Sequence, residues 1–521
     1  MNKNIKTKDN IITLFAWLAL ATVFICDMIF LAQNVRFHTN SDLASEMILA
    51  RLLRNEHRWI TNSWYYSTEL RVIAIAPIYA IAFIFSDNWQ TVRILGAVLM
   101  YVILIVSCIY TCYGFGDKAK KVAPLCAAIM MLPLSIEWRH MLLTGMYYAP
   151  QVALSFISFG LFIRYPDIKD KGKKAKSLIF QGIIAFLSGL GGLRMILMLY
   201  IPLMIVGFLN FKRNKKIFFE SLICMIFTGL GYSINLIFKI TDTITYSTYL
   251  RTRPAVPSFS QILKVFGDIL ENFGFVFRIP NGIEDIAGDI LAFTILLMLV
   301  LSLIKFFSKK NISENIFSIR FTILMEYIMI VFVIFILIYS VTDMNYEGRY
   351  NIHFIVYFVL LLTVMLSECD ASIIFAFFLL GILSSLSSYS TFSGASNEYI
   401  KYSELVQYIE SKKIEKGYAS FWNSNVLTDI SGGDIEMWSL EGDTTRRYNS
   451  TTHDGIIFPF DGEDVVIGQW LQLTEHERVL PDLPVFVIVS DEEYDKYIIN
   501  KEYYDEHFEK QLGNLRLYIF D

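Results

Sequence analysis

Asp42 and Glu46 stand four residues apart in SDLASEMILARLL, so a helical stretch would project both carboxylates from one face. A carboxylate near apolar surroundings is harder to ionise and a stronger base, which suits taking a proton from an acceptor hydroxyl. The competing role is local, because Ser-Asp before an apolar periodic run is also a helix N-cap signature. The two roles are compatible, and both stay open at this point. Arg194, in SGLGGLRMILMLY, lies within apolar sequence where an unpaired guanidinium is costly. It reads as a phosphate ligand or as an arginine snorkelling to the interface. Arg349 and Tyr350, in TDMNYEGRYNIHF, read as a lipid-phosphate pair at the headgroup level or as an aromatic-belt anchor, with Glu347 beside them as an accessory candidate. Glu69, Glu137 and His140 are accessory candidates, the last two within EWRHM.

The elements that must position these residues are those of a membrane protein. Hydrophobic residues make up 55% of the 521-residue chain and charged ones 18%, and the mean hydropathy is +0.47. A soluble chain of this size carries more charge. The first apolar run, Ile11 to Leu31, is too long for a signal-peptide core and lacks a small-residue cleavage site, so it is expected to stay as a helix. All six cysteines lie in or beside apolar runs, which indicates neither a disulfide framework nor a thiolate metal site. No Walker, GxGxxG or HExxH pattern and no internal repeat is visible, and nothing points to nucleic acid.

Charge divides the chain in two. From Thr391 onward there are 11 basic and 25 acidic residues, against 34 and 24 in the remainder. The expected domains are therefore a basic membrane part, 1–390, and an acidic soluble part, 391–521. Runs long enough to span lie near 11–31, 92–113, 122–137, 149–165, 177–191, 194–210, 217–238, 287–307, 320–340, 352–367 and 371–388, eleven helices in all. Lysine-rich loops mark the cytoplasmic side. With the N-terminus inside, all of them fall inside, provided that 70–85 does not span. That run is expected to be an interfacial helix flanked by Trp59, Trp64, Tyr65, Tyr66 and Trp89. The outer face then comprises 32–91, 137–148, the Gly191–Gly192 turn, 239–286, 341–351 and 389–521. In the soluble part a helix at Ser396–Lys412, strands at 418–422, 434–440, 485–490 and 515–520, and a helix at 491–500 predict a small α/β or α+β domain.

With these residues in place, the chain resembles the GT-C glycosyltransferases, multi-span enzymes that use polyprenyl-phosphate sugars, such as the aminoarabinose and protein O-mannosyl transferases. Asp42 in NSDLASE occupies the place of that family's first-loop catalytic aspartate. GLGGLR with Arg194 is similar to a Gly-rich turn with a phosphate-binding basic residue. Glu347-Gly348-Arg349-Tyr350 is similar to the Arg-Tyr motif before a late helix, and YIESKKIEKGYASFWNSNVLTDISGG resembles the start of outer C-terminal domains in bacterial members. The resemblance implies a polytopic α-helical, GT-C-like fold and juxtamembrane helices in the first outer loop. It also implies a bacterial cytoplasmic membrane setting, a polyprenyl-phosphate sugar donor, and an acceptor outside the cytoplasm in the form of a cell-envelope glycan, glycolipid or protein. One place departs from the pattern: Tyr148 and Ala149 precede Pro150 where many members carry a second acid, which puts the divalent metal seen in the family in question. Two other classes fit the sequence, a polytopic transporter or lipid flippase and a membrane-anchored binding or sensor protein acting through its outer domain.

Overall fold

The computed structural model describes residues 2–246, 259–308, 316–342, 347–390, 393–440, 470–477, 484–498 and 501–520. The membrane part opens with α1 (Asn2–Asn34), α2 (Ser41–Glu56), α3 (Ala76–Ala82), α4 (Trp89–Cys112), α5 (Asp117–Met131), α6 (Ile136–Trp138) and α7 (Ala149–Arg164). It continues with α8 (Lys171–Gly191), α9 (Leu193–Met195), α10 (Ile201–Leu209), α11 (Lys215–Ile240), α12 (Phe259–Asn272), α13 (Ile283–Ser308), α14 (Ile316–Val341), α15 (Ile352–Leu366) and α16 (Ala371–Ser390). Six stretches are long and apolar enough to cross a membrane: Asn10–Phe37, Trp89–Phe115, Lys215–Ile240, Ile283–Phe307, Phe317–Val341 and Gly348–Leu366. A bent pair makes a seventh if it is counted as one span. The eleven spans read from the sequence are therefore not all met. α7, at 16 residues, rises only about 24 Å, and Leu193–Leu209 and Ala371–Leu386 are shorter apolar pieces.

Two segments differ from the sequence reading for a local reason. The run 122–137 is not one helix, because α5 ends at Leu132 in extended conformation and the chain resumes after a 100° bend. Leu132 precedes Pro133, whose ring disfavours the helical state of the residue before it. The run 70–85 forms only α3, seven residues or about 10 Å long, which cannot cross a bilayer. Nor does it lie flat in lipid along its whole length. Ile73, Ile75, Tyr79 and Phe83 are buried in protein, as are Trp64, Tyr65 and Tyr66. The Tyr79 ring fills the space that a side chain at Gly96 of α4 would need.

The soluble part is a five-stranded sheet with α17 (Ser393–Ser411) leading into it. Its strands are β1 (Lys416–Ser420), β2 (Glu436–Leu440), β3 (Val485–Ser490), β4 (Phe508–Leu512) and β5 (Leu515–Phe520), in the order β2-β1-β3-β5-β4. β1 pairs parallel with β2 and β3, while β5 runs antiparallel to β3 and β4. Between β1 and β2 the chain forms α18 (Phe421–Ile430), so Phe421 and Trp422, expected in a strand, begin a helix. The helices α19 (Asp491–Tyr497) and α20 (Lys501–Glu506) follow β3. A capping box at Ser490 and Glu493 starts α19. β4 went unread because FEKQL is mostly polar, as befits a solvated edge strand.

Candidate active site

The helix that carries Asp42 is held at its first turn from three sides. Asn40, not Asp42, is its N-cap: the Asn40 side chain accepts from the Leu43 amide at 2.9 Å. The Tyr147 hydroxyl reaches that same Asn40 oxygen at 3.3 Å. Ser41 donates its hydroxyl to the Trp422 carbonyl of α18 at 2.8 Å. Below this contact Arg93 of α4 donates to Asp429 of α18 at 2.6 Å and to Thr39 at 2.8 Å. The Arg93–Asp429 pair is almost wholly buried. Backbone bonds between Tyr65 and Leu471, and from Tyr65 to Gln472, at 2.9 and 2.8 Å, join the first loop to the sheet domain as two short antiparallel pieces. The sheet domain is thus part of the wall that fixes α2.

With Asn40 doing the capping, the Asp42 side chain is released from that duty. It is partly exposed, and no described residue hydrogen-bonds or ion-pairs with its carboxylate. Burial of its surroundings raises its pKa, while the charges of Arg71 and Arg349 pull the other way. Glu46, one turn along the same face, is fully buried and pairs with Arg71 at 3.0 Å. Burial raises its pKa also, against Arg71.

Arg194 is brought to the same end by the turn between α8 and α9. Gly192 adopts φ +139°, open in practice only to glycine, and a side chain there would press on Glu69. Gly191 accepts from the Leu70 amide at 3.1 Å, which ties this turn to the first loop. Arg194 pairs through Nε with Glu69 at 3.0 Å, and its guanidinium lies 4.6 Å from the centre of the Tyr148 ring. Tyr148 in turn packs on His353 at 4.3 Å between ring centres. Tyr148, two residues before Pro150, therefore serves as a platform for the arginine.

Arg349 pairs with Glu347, and Tyr350 stacks on Tyr339 of α14 at 5.9 Å. Asn272 of α12 donates to the Gly348 carbonyl at 3.2 Å and holds this loop. Glu137 is exposed, within electrostatic range of Arg349 and Glu347, and His140 packs on Tyr147 at 5.4 Å. All the candidate residues thus gather at one end of the helical part. The sequence reading missed Arg71, His353 and Trp422. Arg71 had a signal, a lone cation opening an apolar run beside Glu69; His353 and Trp422 had none.

The pairings leave a remainder. Arg71 is matched to Glu46, Arg194 to Glu69 and Arg349 to Glu347, and among the candidate acids Asp42 and the exposed Glu137 are left over. Such a set fits an anion that can displace a glutamate from an arginine. Two other groups of ligand-type side chains meet elsewhere. Cys108, Cys112 and Cys126 converge between α4 and α5, with 3.3 Å between the sulfurs of Cys108 and Cys126, a grouping that the sequence reading did not single out. Glu436, Glu475 and His476 meet in the sheet domain, where the His476 ring stacks on Trp438 at 4.2 Å.

Neither a family model nor a curated protein matches the sequence. Among solved structures, the chain is similar to the crystal structure of ArnT from Cupriavidus metallidurans in the apo state, with TM-score 0.44 and 11% identity. The alignment covers 96% of this chain and 98% of that one, and no residue role follows from it.

Proposed function

We propose that the chain is a membrane glycosyltransferase that moves a sugar from a polyprenyl-phosphate donor to an acceptor outside the cytoplasm, with Asp42 as general base. The observation that carries this reading is the unmatched carboxylate of Asp42 among three arginine–glutamate pairs. In the step, the acceptor oxygen attacks the anomeric carbon as its proton passes to Asp42. The bond from that carbon to the phosphate oxygen breaks, and its electron pair leaves with polyprenyl phosphate. Attack from the face opposite the leaving group inverts the anomeric centre. Arg194 and Arg349 exchange Glu69 and Glu347 for phosphate oxygens and stabilise the charge that develops there. Tyr350 flanks that phosphate site. General-base assistance of this kind contributes roughly 10²–10⁴-fold.

The lysine-rich loops place the N-terminus in the cytoplasm and the sheet domain outside a bacterial cytoplasmic membrane in this reading. The test is incubation of the purified full chain with a panel of polyprenyl-phosphate sugars and envelope-derived acceptors, reading release of polyprenyl phosphate. Release that requires Asp42 is expected. No release from any donor, or undiminished release by Asp42→Asn, overturns the proposal.

A further inference from the structure

The opposite end of the helical part holds a hollow of about 1160 Å³. α4 links the two ends: Arg93 near its start touches Thr39 and Asp429, while Phe115, just past its other end, lines the hollow. The cations around it are Lys118, Lys169, Lys171, Lys174, Lys216, Lys305 and Arg320, and the acids are Asp117, Asp167 and Glu368.

Every one of those acids is already engaged. Asp167 pairs with Arg320, Glu368 with Lys118 at 2.6 Å, and Asp117 with Lys120 at 2.7 Å. No carboxylate among the described residues pairs with the other five lysines. Several of these are held in place by neutral groups instead. Lys174 lies 4.6 Å from the Tyr165 ring centre, Lys305 lies 5.1 Å from that of Phe321, and Lys216 donates to the Pro166 carbonyl at 3.4 Å. Lys118 of α5, Lys169 with the first turn of α8, Lys216 of α11 and Lys305 of α13 come from four separate places in the chain to border one open hollow, where like charges repel unless an anion joins them. A phosphate group suits ammonium donors, and basic pockets at the ends of membrane helices bind anionic headgroups.

We infer that this hollow is a binding site for a phosphate-bearing anion, of the kind presented by an anionic phospholipid headgroup. The inference does not depend on the sugar-transfer reading. It is tested with the purified full chain in neutral detergent, in two arms. Native mass spectrometry counts retained phosphatidylglycerol against phosphatidylcholine, and a thermal-shift titration uses inorganic phosphate and glycerol phosphate. The variant is Lys171→Gln/Lys174→Gln/Lys216→Gln, and the control is Lys176→Gln/Lys212→Gln, at exposed basic positions outside the lining. Phosphatidylglycerol is expected to be retained selectively and to lose about fivefold in affinity per lysine removed, on the order of 100-fold in the triple variant. The control keeps its binding. Binding of the soluble phosphates alone, lost in the same variant, supports the site with a free phosphate as its source. Equal losses in variant and control, or no binding in either arm, overturn it. The single variant Lys171→Gln, at an exposed position, repeats the test should the triple variant fail to fold.

Discussion

The two ends of the helical part manage charge in opposite ways. At the Asp42 end, three arginines each hold a glutamate, and among the candidate acids Asp42 and the exposed Glu137 are left over. At the other end the acids are used up and five lysines are left over. A surplus acid among bound cations suits proton removal beside an anion site. A surplus of cations around a hollow suits holding an anion. The lesson is that counting charges says less than finding which remain after pairing.

The comparison can be broken at several points. The largest expected effect is from Asp42→Asn, which should lower turnover roughly 10²–10⁴-fold while leaving the thermal midpoint near its original value. A collapse of the midpoint instead would make Asp42 a structural residue. Next is Asp429→Ala, which leaves Arg93 buried without its partner and should cost about 3–5 kcal/mol in unfolding of the full chain. The pair Arg93→Met/Asp429→Leu should recover most of that loss, since it removes both charges. A smaller and more specific effect is expected from Arg349→Gln. The raised pKa of Asp42 means that activity climbs with pH as the carboxylate forms, and Arg349 opposes the raising. Its loss should move that limb of the pH–rate profile to higher pH; an unmoved limb would show that Arg349 does not act on Asp42. The smallest effect belongs to Lys171→Gln at the other end, which should change stability by less than about 0.5 kcal/mol in the same unfolding measurement. A larger cost there would mean that Lys171 has a partner in the fold.

Much of the candidate site was legible before the fold, because its residues are costly where they stand. Asp42, Arg194 and Arg349 are charges beside apolar runs, and such charges need a reason. Glu69 and Glu347 were read only as accessories, and their pairing with Arg194 and Arg349 had no sequence signal. The cap was misplaced by two residues, since Ser41, Asp42 and Asn40 are all capping types and only backbone geometry selects Asn40. The span count goes unmatched where a helix is apolar but short, as in α7, or is broken before a proline, as at Leu132. The run at 70–85 does not span, as expected, but forms a shorter helix: Ile73, Ile75, Tyr79 and Phe83 pack on protein while Ile84 and Phe85 stay exposed, a division that hydropathy does not reveal.

By itself the sequence determined that this is a membrane protein whose charge is divided, basic up to residue 390 and acidic beyond it. Those properties follow from local composition, which needs no contact to be read. Only the tertiary structure decided that α18 of the sheet domain grips the first turn of α2, and that Arg71, Arg194 and Arg349 each take a glutamate. Pairing energy depends on separations of about 3 Å between groups distant along the chain, and folding alone sets those separations.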